Sequence, residues 1–250
     1  SAMMTPETVV IPFWPQGPVW PMLVLIWPLV IGALAGLPGL RERPLRLLPA
    51  APLPALLLAL ARPVDATTQA PDVLLGVVLE TDGTGILLLG MTAAIWLAAG
   101  IYALAYMKEP RKPAVFTGFW CLTLTGNLGV FLAADAVTFY VSFAAVSLAA
   151  YFLVVHDGTA KALRAARIYI VLAIFGEAML LIGFVIAIAG AGSFAIPDLR
   201  ATLGGGATLH PFAQGLALTL IIIGFGLKAG LMPLHLWLPL AHPAAPTPAS

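Results

Sequence analysis

Lys228 is the residue in this sequence whose position most demands a chemical explanation, because it lies inside an apolar run beginning near Pro211. A lysine at mid-membrane depth costs about 2.5–3.5 kcal/mol on insertion scales, so such an amine faces a partner or a hydrated cavity. Amines removed from water exchange protons closer to neutral pH than free lysine does, which makes proton transfer the chemistry to consider. The opposing reading is that the side chain snorkels and places its ammonium among the headgroups. Downstream, Gly230, Pro233 and Pro239 break the helix, and His235 and His242 lie within or beside that break. Carbonyls freed at membrane depth need water or side chains, so a break there implies a polar interior. Each imidazole can relay protons, or simply bond a loop carbonyl.

Glu177 is the carboxylate placed deepest within an apolar run, ten residues after Arg167 or about 15 Å along a helix. A lone carboxylate there is neutral or paired, and Lys228 is its natural partner if the two runs pack together. Thr125, Asn127 and Ser147 are accessory candidates for a water path, although hydroxyls in membrane helices more often bond backbone or join helices. Asp135 reads as a solvated loop residue at a helix end. No spacing of Cys, His and Asp suggests a metal site, and no phosphate-binding loop or GxSxG motif is present. The sequence therefore implies no metal or cofactor in this chain and no catalytic site of its own.

The elements that must position these residues follow from composition. Hydrophobic residues make up 61% of the 250 and charged residues 9%, against about 25% charged in a soluble domain. Lipid must face most of this chain, while a net charge of +1 offers nothing to nucleic acid. A hydrocarbon core of about 30 Å needs roughly 20 apolar residues per helix. Stretches near 19–38, 45–61, 84–106, 114–134, 137–155, 168–190 and 212–231 meet or approach that length. The pattern predicts an all-α, polytopic bundle of about seven spans, the second weakened by Pro49, Pro52 and Pro54.

Basic residues then fix the orientation. Arg41, Arg43 and Arg46, Lys108, Arg111 and Lys112, and Lys161, Arg164 and Arg167 fall in alternate loops, which places nine of the twelve basic residues on one side. The opposite loops carry Arg62 and Arg200 among Asp65, Asp72, Glu80, Asp82, Asp135 and Asp198. The positive-inside rule makes the first side cytoplasmic, with the N-terminus outside, as for a protein of the bacterial inner membrane. Ser1-Ala2-Met3 ahead of Met4 reads as a cloning scar.

The segment KAGLMPLHLWLPLAHPAAPTPAS from Lys228 to Ser250 resembles the lysine and broken-helix motif of the antiporter-like proteins. These are the large membrane subunits of complex I (the NADH dehydrogenase), of Mrp antiporters and of membrane-bound hydrogenases. Leu240 and the run His242-Pro243-Ala244-Ala245-Pro246 look most like the formate hydrogenlyase and group 4 hydrogenase branch. The resemblance implies a proton-translocating membrane subunit of an oxidoreductase complex, with Lys228 as the motif lysine and His235 as the histidine of the break. It also implies a Trp-Glu pair in span five, where this sequence has Phe143-Ala144; Glu177 is then the residue able to supply the missing charge. The division expected is 4–110 for spans one to three and 111–250 for an incomplete first repeat, with other membrane subunits supplying the second repeat and peripheral redox or coupling subunits the energy. A Na⁺/H⁺ antiporter subunit, a small-molecule transporter and a non-pumping anchor for a peripheral enzyme are the alternatives.

Overall fold

A computed structural model describes residues 19–37, 44–61, 66–70, 76–107, 112–205 and 209–250. The chain begins with α1 (Val19–Leu34), a 3₁₀ segment (Pro44–Ala50) and α2 (Leu53–Ala61). A hairpin of β1 (Ala66–Ala70) and β2 (Val77–Thr81) follows, paired antiparallel with Ala66 opposite Thr81. Then come α3 (Gly83–Tyr106), α4 (Pro113–Leu132), α5 (Ala136–Val154), α6 (Ala160–Ala191), α7 (Ile196–Leu203) and α8 (Pro211–Ala229). The chain ends in a 3₁₀ turn (His235–Trp237), the short α9 (Leu238–Ala241) and a second 3₁₀ turn (His242–Ala244).

The expected helical membrane bundle is present, with differences at its edges. Among the described residues, α3, α4, α5, α6 and α8 are long and apolar enough to cross a bilayer, whereas α1 and the 45–61 stretch are shorter. The second stretch divides into a 3₁₀ segment with Pro49 inside it and a nine-residue helix, because prolines at 49, 52 and 54 remove donors and clash with the preceding turn. The hairpin is an element that hydropathy does not reveal. The sixth helix starts at Ala160, so Lys161, Arg164 and Arg167 occupy its first turns and not a loop; Lys and Arg are good helix formers.

Asp135 corrects another expectation. It is buried, 6% exposed, and caps α5 by accepting from the backbone N–H groups of Val137 and Thr138. Its second oxygen accepts from the Thr138 hydroxyl and from the Val78 N–H of β2. The Ala134 N–H donates to the Val78 carbonyl and the Ala136 N–H to that of Phe194. Asp135 thus ties the hairpin, α5 and the 191–196 connection into one end of the bundle. Loss of an N-cap costs about 0.5–2 kcal/mol, and Asp135→Ala also leaves Val78 without this acceptor. Thermal unfolding of the detergent-purified protein is expected to show destabilisation of about 2 kcal/mol.

Among the described residues the charges segregate along the bundle. Lys112, Lys161, Arg164 and Arg167 stand at the starts of α4 and α6, while Glu80, Asp82, Asp135 and Asp198 mark the opposite end. Arg41, Arg43, Arg62, Asp65, Asp72, Lys108 and Arg111 lie outside the described residues.

Candidate functional site

Glycine brings α6 and α8 into contact. A Cβ on Gly224 would lie 2.8 Å from the Gly176 carbonyl oxygen and 2.9 Å from the Leu180 Cβ, and one on Gly183 would lie 2.7 Å from the Ile221 side chain. Only hydrogen fits at these crossings, as in small-residue contacts between membrane helices generally. Glu177 follows Gly176 directly and Lys228 comes one helical turn after Gly224, so the close approach sets the two side chains face to face. Lys228 Nζ lies 3.8 Å from Glu177 Oε1, with the lysine side chain 21% exposed and the glutamate 9%.

The amine turns inward instead of toward the helix end. Nζ donates to the Phe143 carbonyl of α5 at 3.0 Å and contacts the Ser147 hydroxyl, and it stands 4.1 Å from the centroid of the Phe143 ring. An ammonium over an aromatic face is attracted by the ring quadrupole. Phe143 in turn packs edge-to-face on Phe225 at 5.6 Å. Ser147 also faces Tyr169 and Glu177. Among the described residues Glu177 Oε1 has no hydrogen-bond donor, which leaves the ion pair as its compensation for leaving water.

Two spaces adjoin this cluster. One, about 10 Å³, is lined by Glu177, Lys228, Tyr169 and Trp237 among others, and is the size of a single water site. The other, about 440 Å³, also reaches Lys228 and is lined by Thr123, Asn127 and His242 among others. Lys228 therefore lines both a small space shared with its carboxylate and a larger one that reaches the α9 segment, as do Tyr169 and Trp237.

The break after Lys228 is built differently from the prolines' apparent role. Gly230 ends α8 in the left-handed region at φ 68°, with the Leu231 N–H bonded to the Gly226 carbonyl at 2.9 Å. This is the αL stop that glycine accepts without steric cost. Pro233 follows it, whereas Pro239 sits in the first turn of α9, where a missing N–H costs nothing. The Leu227 carbonyl, which takes a 3.3 Å bond from the Gly230 N–H at the stop, also accepts from the Trp237 indole at 2.7 Å. A side chain thus adds a second donor to the backbone acceptor beside Lys228. Trp237→Phe keeps the ring and removes the donor, with an expected loss of about 1–2 kcal/mol of stability in thermal unfolding.

Of the residues singled out by sequence, the fold brings together Lys228, Glu177 and Ser147, and places Asn127 and His242 on the larger cavity. Asn127 also donates to the Thr123 carbonyl at 3.1 Å, and His242 Nδ1 is 2.9 Å from the Ser250 hydroxyl. Thr125 turns away and donates to the Leu25 carbonyl of α1 at 3.3 Å, joining two helices. His235 lines neither space, and its Nδ1 is buried with no hydrogen-bond partner among the described residues. Tyr169 and Trp237 were missed. Tyr169, Ala173, Gly176 and Glu177 line the small space, and their spacing of 4, 3 and 1 is a helical stripe that periodicity could have exposed.

Residues 133–250 match the family described as NADH:quinone oxidoreductase/Mrp antiporter, TM. The chain is 33% identical to hydrogenase-4 component B of Escherichia coli over 174 residues, covering 69% of this chain and 25% of that protein. It is 34% identical to a Na(+)/H(+) antiporter subunit of Bacillus subtilis over 176 residues, covering 70% of this chain and 35% of that one. Among solved structures, respiratory complex I from Thermus thermophilus aligns with a TM-score of 0.74 at 26% identity over 90% of this chain and 47% of the matched chain. The Mrp complex from Dietzia gives 0.76 at 23% identity, over 93% of this chain and 44% of the matched one. The chain thus spans a quarter to a third of these two curated relatives. With a helical membrane bundle, the family match and these likenesses, the chain belongs to the antiporter-like membrane subunits of the NADH:quinone oxidoreductase/Mrp antiporter family.

Proposed function

We propose that this chain carries protons across the membrane within a larger assembly, with Lys228 as the group that takes up and releases them. The observation that supports this reading most is the Lys228–Glu177 pair at 3.8 Å, held between a water-sized space and a cavity of about 440 Å³. Glu177 governs the charge of the amine by proximity, Ser147 accepts a hydrogen bond from it, and Asn127 and His242 offer polar atoms along the larger space. A proton leaving Nζ for a water there leaves a neutral amine; the Glu177 carboxylate draws the next one in. His235 lines neither space and is assigned no step in this path.

A proton is favoured over Na⁺ as the ion carried, because a metal cation beside Glu177 would sit against the ammonium of Lys228 and be repelled by it. The relatives named as a hydrogenase component and as an antiporter subunit support membership of a multi-subunit membrane complex. Other membrane subunits, and a redox or other coupling partner, then supply the rest of the path and the energy, since moving one charge against 100 mV costs about 2.3 kcal/mol. The basic ends of α4 and α6 face the cytoplasm of a bacterial inner membrane in this reading, with the N-terminus outside. Sealed membrane vesicles containing the intact protein and its complex provide the test. Dye-reported acidification should occur without added Na⁺ and vanish in Lys228→Ala; acidification that strictly requires Na⁺ would transfer the reading to antiport.

A further inference from the structure

A second feature lies away from the lysine, between the first turns of α6 and the segment that follows Trp237. A cleft of about 520 Å³ opens there, lined by Lys161, Arg164 and Ile168 on one side and by Pro239, Leu240 and Pro243 on the other. Residues 161, 164 and 168 are spaced by three and four, so they form one stripe of the helix. Lys161 and Arg164 are exposed, and among the described residues neither pairs with a carboxylate. Asp157 precedes them in the chain and does not line the cleft.

Depth fixes what can reach this cleft. Lys161 precedes Glu177 by sixteen residues, or about 24 Å along α6. The hydrocarbon core extends only about 15 Å from its midplane. With 32 residues, α6 is about 48 Å long and exceeds the core, so its basic first turns stand at headgroup level while Ile168 and Leu240 lie nearer the acyl chains. Thr159 caps this helix end by accepting from the Ala162 N–H at 3.1 Å, and the positive end of the helix dipole favours an anion nearby. Two cations without a carboxylate partner among the described residues, above an apolar wall at the boundary of the bilayer, match an anionic phospholipid in both halves of the molecule.

We propose that this cleft binds an anionic phospholipid, its phosphate between Lys161 and Arg164 and an acyl chain along Ile168, Leu240 and Pro243. The lipid bridges α6 to α9, and so braces the segment whose Trp237 caps α8 beside Lys228. Neither cation belongs to the proton site, so binding stands or falls apart from the transport reading.

The test titrates the purified full protein in neutral detergent with palmitoyl-oleoyl-phosphatidylglycerol, with the matching phosphatidylcholine, and with inorganic phosphate, following the unfolding temperature. Phosphatidylglycerol should raise it at concentrations where the other two do nothing. Each basic residue beside an anionic headgroup contributes about fivefold in affinity. The Lys161→Gln/Arg164→Gln double variant should therefore need about 30-fold more phosphatidylglycerol for the same shift. Lys161→Arg/Arg164→Lys, which keeps both charges, should titrate as wild type and controls for damage to folding. An equal response to phosphatidylcholine, a full response to phosphate alone, or an unchanged midpoint in the double glutamine variant would overturn the site. So would photo-crosslinking from position 240 to a protein subunit in native membranes, which would assign the cleft to a protein partner.

Discussion

Lys228→Ala is expected to reduce proton translocation in sealed vesicles by about 100-fold or more, to the level of passive leak, since positioned proton-transfer groups contribute about 10²–10⁴-fold. The alanine leaves the Phe143 carbonyl and Ser147 hydroxyl facing an empty space and removes the titratable amine that lines both the water-sized space and the larger cavity. Truncation alone does not separate lost chemistry from lost structure, and Lys228→Arg does. A guanidinium keeps the positive charge opposite Glu177 but does not release its proton in a protein. The expected result for arginine is a folded protein with normal subunit assembly and no transport. A transporting arginine variant would reduce Lys228 to a structural cation.

Glu177→Gln carries the second-largest expected effect. It preserves shape and removes the charge that stands 3.8 Å from Nζ. The amine then faces a neutral amide, and the charged lysine loses the partner that offsets its desolvation. Transport should fall at least tenfold, with each pKa-equivalent of lost pairing amounting to about 1.4 kcal/mol. Glu177→Asp should recover part of it, because a carboxylate one methylene shorter still reaches the same space. Full pumping by Glu177→Gln would mean that Ala144, where the resemblance implies a glutamate, has no functional replacement in this chain.

The centre of this site was legible in the sequence because its determinants are few and local. A lysine and a glutamate in apolar runs need each other, and glycine at 176 and 224 licenses the contact. Ser147 stood among the candidates, but the aromatic surroundings were not legible, because Phe143, Tyr169 and Trp237 come from elements separated by up to ninety-four residues and meet only through packing. Trp237 reaches the Leu227 carbonyl across a turn that no helical period describes. The resemblance singled out His235 as the histidine of the break; of the two histidines there, His242 lines the larger space and His235 lines neither. Asp135 was misread because a charge at a helix end suggests solvent; here two backbone N–H groups and a hairpin strand supply the hydrogen bonds that water would. The hairpin itself is two five-residue strands joined outside the apolar stretches, too short for alternation to stand out beside 20-residue helical patterns.

The account rests on one amine kept from bulk solvent, within reach of an acid and of a hydrated space. A structure of the intact protein in a lipid nanodisc, at a resolution that shows single waters, measures this directly. The prediction is Lys228 Nζ within about 4 Å of Glu177 Oε1 and ordered water in the cavity that runs past Asn127 to His242. An amine lying among the headgroups, with neither carboxylate nor water beside it, would contradict the account.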